Sequence, residues 1–167
     1  MTNIPRFVDL QGFKLNETFI VKEAAILVDG CASSHFLFRP PIHWSRLTGE
    51  ERAGIRWLTN NHHSLRWMDG NVSYDRAREL IREATCANLG NRVIYVKGSE
   101  KIQWLRTILG DSNGGLVLEN IDEVYDNIGS LERVHLESQI RCAYHARNCA
   151  LSNVWKLHQC WKERQTN

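Results

Sequence analysis

The chain has 167 residues, 43% hydrophobic and 24% charged, with a formal net charge of +2 at pH 7. That length and balance fit a single globular domain spanning residues 1–167, with one substantial core, and argue against a disordered chain. A charge this close to neutral neither requires nor excludes a nucleic-acid partner, because a local patch outweighs the sum.

No apolar stretch approaches the length needed to cross a bilayer, and the opening MTNIPRF lacks a signal-peptide hydrophobic region. The expectation is an intracellular protein, cytoplasmic or nuclear. The five cysteines, Cys31, Cys86, Cys142, Cys149 and Cys160, are odd in number, which argues against a disulfide framework and leaves metal binding or plain burial. The six tryptophans read first as packing.

Taken in order, the chain opens with an apolar run ending at Asp9, turn-forming residues over Gly12 to Thr18, a second apolar run over Phe19 to Val28, and a third over His35 to Arg39 that stops at Pro40-Pro41. Strand lengths and β-branched content predict three consecutive antiparallel strands. Asp9 and Glu23 stand inside these apolar runs, where a carboxylate is costly unless it is paired, hydrogen-bonded, metal-bound or turned to solvent.

Thr48 followed by Glu50 and Glu51 opens a short helix through Ile55 and Leu58, which Asn60 and Asn61 stop. His62 and His63 fall in a loop, with a structural or solvated role expected of them. The spacing predicts a helix over Ser73 to Ala84, with Ser73 as cap and Ala77, Leu80, Ile81 and Ala84 as apolar face. Val93 to Val96 reads as a fourth, central strand. Gly98 to Gly110 reads as a helix capped by Ser99 and stopped by Gly110. Leu116 to Leu118 reads as a fifth strand, followed by a solvated acidic stretch through Asp126.

The sharpest chemical signal is Cys142-x2-His145-x3-Cys149, which opens the final helix, Cys149 to Lys162. Two thiols and an imidazole within eight residues suit Zn²⁺. A fourth ligand must come from elsewhere, with Glu23, Cys160, Cys86, His158 and Cys31 as candidates.

The order of strand with Asp, turn, strand with Glu, Asp-Gly turn, strand and proline resembles the opening of the DnaQ-type 3′-to-5′ exonucleases. The resemblance implies an α/β, RNase H-like fold: a mixed five-stranded sheet flanked by helices. It also implies a set of metal-holding acids, of which this chain keeps one. The Asp-x-Glu triplet of the first strand is here Asp9-Leu10-Gln11. The Trp104-Leu105 pair puts Lys101 at the position of a second acid, and Ala150-Leu151 puts Asn148 and Asn153 where His and Asp belong. An amide brings no charge to a divalent ion and an ammonium repels it, so two-metal cleavage is not expected.

The order Glu23, Cys142, His145, Cys149, together with the phrase Cys149-Ala150-Leu151, is similar to the Maelstrom domain. That family keeps the exonuclease fold without its catalytic acids, binds zinc through a Glu-Cys-His-Cys set, and works in the small-RNA (piRNA) pathway. The resemblance implies a structural Zn²⁺ on Glu23, Cys142, His145 and Cys149. It also implies partners among single-stranded RNA or small-RNA pathway proteins in transposon silencing. Lys97, Lys101 and Arg147, near the old cleft, are the candidate RNA contacts. The rival expectations are a metal-independent ribonuclease and a Trp-rich protein-interaction module.

Overall fold

The computed structural model describes residues 3–87, 90–111 and 113–167, and within them the chain forms an α/β structure, a five-stranded mixed sheet with helices on both faces. Strands β1 (Arg6–Leu15), β2 (Thr18–Val28) and β3 (Ala32–Leu37) pair antiparallel in succession. Strands β4 (Val93–Val96) and β5 (Val117–Asn120) add in parallel beyond β1, giving the order β3-β2-β1-β4-β5. The middle strand is therefore β1, not β4 as the sequence suggested. Both faces of β2 are covered, which is why it reads as a near-continuous apolar run instead of an alternating one.

The turn expected over Gly12 to Thr18 shrinks to two residues. Asn16 and Glu17 take left-handed φ values of 47° and 66°, which suit a two-residue hairpin, and Gly12 through Leu15 continue the strand. Gly12 stays glycine because a Cβ there would run into the Ile20 carbonyl and the Phe19 ring. At the same place the β1–β2 register slips. Gln11 faces Glu23 and Gly12 faces Val21, leaving Lys22 as the extra residue of a bulge.

That bulge sorts the side chains. Val21, Ala24, Ile26 and Val28 pack with one core cluster, and Ala25 and Leu27 with the other. Lys22 itself is fully buried, and its ammonium donates to the carbonyls of Phe38 (2.6 Å), Trp67 (2.8 Å) and Asp69. Burial pushes its pKa down to about 8.

Helix α1 (Gly49–Leu58) begins with the anticipated capping box, Thr48 with Glu51. It is not stopped by Asn60 and Asn61. The backbone widens into a π-turn, Thr59–His63, that ends where Ser64 turns left-handed. Helix α2 (Ala77–Cys86) starts later than expected, after a 3₁₀ turn at Tyr74–Arg76, and the Ser73 hydroxyl makes no capping bond. Helix α3 (Ser99–Leu109) is entered from Gly98, with Ser99 as its first residue instead of its cap, and stops at Gly110 (φ 66°). The acidic stretch folds into a single helical turn, α4 (Ile121–Val124), capped by the Asn120 side chain. Helix α5 (Ala150–Gln165) has Cys149 at its N-cap.

Helices α2 and α3 cover one face through Ala77, Ile81, Ile102, Leu105 and Leu109. Helix α5 covers the other with Ala150, Val154 and Leu157 against Phe7, Ala25 and Leu27. A third cluster, Phe13, Ile20, Leu47, Ile55 and Trp67, holds α1 to the β1–β2 hairpin. Trp57 departs from the packing expectation, being 62% exposed. No helix among the described residues is long and apolar enough to cross a membrane.

Candidate metal centre and the adjoining cleft

Glu23 lies on the same side of β2 as Ala25 and Leu27, the side that α5 covers, and it is fully buried. The chain returns to it 119 to 127 residues later, through Cys142, His145, Cys149 and Ala150. Glu23, Cys142, His145 and Cys149 are all buried, and one ligand atom from each lies within 4.8 Å of the others. Tetrahedral zinc with bonds of roughly 2.0 to 2.3 Å sets its ligand atoms about 3.5 Å apart, so the cluster closes around an ion with small side-chain adjustments.

The surrounding hydrogen bonds fit the same reading. Nδ1 of His145 donates to the carbonyls of His63 (2.6 Å) and Arg147 (3.0 Å), which leaves Nε2, the nitrogen facing the cluster, free to bind a metal. Oε1 of Glu23 accepts from the Ala150 backbone N–H at 2.8 Å. Oε2 points at Nε2 of His145 (2.7 Å), Nε2 of His35 (2.8 Å) and Sγ of Cys149 (3.8 Å). The backbone N–H of Cys142 donates to Sγ of Cys149 at 3.3 Å. Asn148, in a left-handed turn (φ 49°), donates to the His62 carbonyl at 2.7 Å and so aims Cys149 inward.

The electrostatics show how four such groups share one buried site. Burial pushes the Glu23 carboxyl up, but hydrogen bonds from His145 and His35 outweigh it and hold the group at about 2. Burial lowers His145, yet Cys149 and Glu23 together carry it up to about 10. Burial raises the Cys142 thiol to about 11. Cys149 ends below its ordinary value because its bond with His145 overcomes the same burial. With no metal bound, a proton on His145 thus supplies the positive charge that Glu23 and Cys149 need.

Of the five candidates for fourth ligand, Glu23 is the one that joins the cluster. Cys31 and Cys86 are exposed, and Cys160 and His158 are outside the group. His35 and His63 were not anticipated around this centre. His35 had a signal in the sequence, since it lies on β3 paired with Ala25, one pleat from Glu23 on the same face.

Asp9 and Gln11 stand on β1 beside this centre and open onto a separate cleft of about 480 Å³. Asp9 is 1% exposed, and both its oxygens are taken. Oδ1 is 2.6 Å from Nζ of Lys101, and Oδ2 accepts from Asn153 (2.8 Å) and Gln11 (3.2 Å). Lys97 lines the same cleft but is paired with Asp122 at 2.6 Å. Arg147 lines it too and donates to the Asn60 carbonyl at 3.3 Å. Lys97, Lys101 and Arg147 thus line one cleft, two of them already bound to carboxylates.

No protein-family model and no curated protein matches this chain.

Proposed function

We propose that the chain is a catalytically silent RNase H-like domain of the exonuclease type, akin to the Maelstrom domain, clasped by a structural Zn²⁺. In this reading it is retained to bind single-stranded RNA in a small-RNA or transposon-silencing pathway. The observation that carries the reading is the state of Asp9. Two-metal phosphodiester cleavage needs several carboxylates turned toward a shared pair of ions. Here the single surviving acid is saturated by Lys101, Asn153 and Gln11, so an internal ammonium stands where a divalent ion would be held.

The strand order β3-β2-β1-β4-β5, with three antiparallel strands followed by two parallel ones, supports the fold assignment. Two thiolates, an imidazole and a carboxylate in a closed, buried set favour zinc over harder ions, and a site without an open position favours a structural role. Zinc there supplies charge and cross-linking, while Glu23, Cys142, His145 and Cys149 hold α5 to β2. RNA binding draws support from the cleft's Arg147, Lys97 and Lys101. Arg147, without a carboxylate partner among the described contacts, is the principal phosphate contact.

The test combines metal analysis of purified protein with incubation of a labelled single-stranded RNA in Mg²⁺ or in excess chelator, followed by binding across a salt series. About one zinc per chain, intact RNA in both conditions and salt-dependent binding are expected. Mg²⁺-dependent cleavage abolished by Asp9→Asn would overturn the silent-site reading. Cleavage that persists in chelator would move the domain to the metal-independent ribonucleases, with His62 of the same cleft as the residue to mutate first. Absence of RNA binding at low salt would remove the RNA assignment.

A further inference from the structure

The segment between β3 and α2 builds a second surface that neither the metal centre nor the cleft uses. A groove of about 430 Å³ is lined by Trp44, Arg56, Asn60, Arg66, Trp67 and Met68, with no acidic residue among the described ones in its wall. Trp67 is the buried floor, held by its indole N–H donating to the Ile42 carbonyl at 2.7 Å. Above it, Trp44 is half-buried, and the guanidiniums of Arg52 and Arg56 lie over its ring at 5.6 and 5.1 Å from the centroid. Met68 (48%) and Trp57 (62%) are among the most exposed large apolar side chains of the protein, and both come from this segment.

A groove with a buried tryptophan as its floor and the half-buried Trp44 and arginines, but no carboxylate among the described residues, in its wall fits a ligand that is planar and apolar in one part and anionic in another. Bases stacked on aromatic and guanidinium planes, with phosphates on the arginines, meet both requirements. The π-turn supplies wall residues to both the groove and the cleft, Asn60 to the first and Asn61 and His62 to the second. Asn60 walls the groove, its carbonyl accepts from Arg147, and Arg147 walls the cleft, so the π-turn Thr59–His63 forms a saddle between the two.

We infer that this groove is a stacking site for single-stranded RNA, which leaves it across the Asn60–Arg147 saddle toward the cleft. The class of ligand rests on the RNA-binding reading above, but the place does not.

The experiment uses the zinc-loaded full chain and a labelled single-stranded RNA, with binding measured across a salt series for the wild type, for R56E/R66E in the groove, and for R76E/R106E, which makes the same charge change at exposed arginines of the 3₁₀ turn before α2 and of α3. Arg56 and Arg66 are exposed, so their reversal spares the core. R56E/R66E is expected to weaken binding on the order of tenfold or more at low salt and to flatten the log–log salt slope by about 1, with R76E/R106E within about twofold of wild type. An additional Arg147→Glu variant reports on the cleft.

Equal losses for the two double variants, or no loss for R56E/R66E while Arg147→Glu weakens binding, would overturn the groove and leave the cleft standing. Wild-type protein that binds no RNA would overturn both. An acidic, Trp-containing peptide bound in preference to RNA and lost in R56E/R66E would assign the groove to a protein partner. Tighter binding of single-stranded DNA of the same sequence would reject RNA as the occupant.

Discussion

Replacing Cys142 by Ser removes one ligand from the metal centre while changing one buried atom, and its effect separates a metal clasp from ordinary packing. Structural zinc in small domains contributes about 10 to 16 kcal/mol of folding free energy through four ligands, so one ligand is worth roughly 2.5 to 4 kcal/mol at fixed free zinc. The centre ties Cys142, His145 and Cys149 to β2 within residues 125–149, which hold no β-strand or α-helix and only the 3₁₀ turn Leu131–Arg133. Its loss also loosens the start of α5, where the Glu23–Ala150 bond remains as the residual link. For a chain of this size, a loss of about 2.5 to 4 kcal/mol lowers the melting temperature by about 10 °C. The assay is thermal unfolding of wild type and Cys142→Ser, each at buffered free zinc and in excess chelator. The wild type is expected to lose about 10 °C or more on chelation, and the variant much less. Equal melting of wild type with and without bound metal, or an equal loss in the variant under both conditions, would refute the clasp.

Metal affinity is expected to rise with pH. His145 at about 10 and Cys142 at about 11 are both protonated near neutrality, and a metal must displace both protons. Affinity should therefore increase on the order of a hundredfold per pH unit, measured by competition with a chromophoric chelator. A pH-independent affinity would contradict the ligand set. His63 supplies a second pH signature. It is fully buried, Nε2 donates to the Gly12 carbonyl (3.0 Å), Nδ1 accepts from the Leu65 N–H (3.1 Å), and burial pushes its pKa from 6.5 to about 4. A depressed value means that the unfolded chain takes up the proton first, so this contribution is complete above pH 6.5 and is lost as pH falls toward 4. The size is about 3 kcal/mol, read as the narrowing gap between wild type and His63→Gln in chelator-treated protein. Lys101→Met strips Asp9 of its cation but leaves Asn153 and Gln11 in place, so denaturant unfolding should show a loss of about 1 to 3 kcal/mol. Pairing it with Asp9→Asn should recover part of that loss, and additive losses would show that the pair is not coupled.

The parts of this architecture legible in the sequence were those set by local pattern. The apolar runs of β2 and β4, the Thr48 capping box and the Gly110 stop are all decided within a few residues, and each appears at or near its expected place. The parts that were not legible depend on distant contacts. Gly12 to Leu15 look like a turn because Gly12 and Asn16 are turn residues, yet Phe13 is claimed by Trp67 and His63, more than 45 residues away, and the strand continues. The three-ligand spacing of Cys142, His145 and Cys149 was readable, whereas the choice of Glu23 among five candidates needed the bulge. Lys22 carried the clue without revealing its use. A lysine in a buried strand signals an anchored cation, but its acceptors are backbone carbonyls that no residue type advertises.

The bulge explains why the two buried carboxylates meet such different fates on the same face of the sheet. Asp9 and Glu23 come from paired strands, and both are buried under the N-terminal half of α5. Without the register slip, the partner of Gly12 would be Lys22, and every β2 side chain from Val21 back to Thr18 would face the opposite side. The slip keeps Val21 in the core beneath α2 while Glu23 stays beneath the start of α5, beside Cys149 and His145. A carboxylate so placed needs a cation. Asp9, at the cleft, receives a fixed one in Lys101, and Glu23, sealed from water, receives an exchangeable one, the His145 proton or a metal. Chelator should therefore act on the Glu23 side and leave the Asp9–Lys101 pair intact. Lys101→Met should lose as much stability on zinc removal as the wild type does, and a loss as small as that of Cys142→Ser would show that the two sites are one.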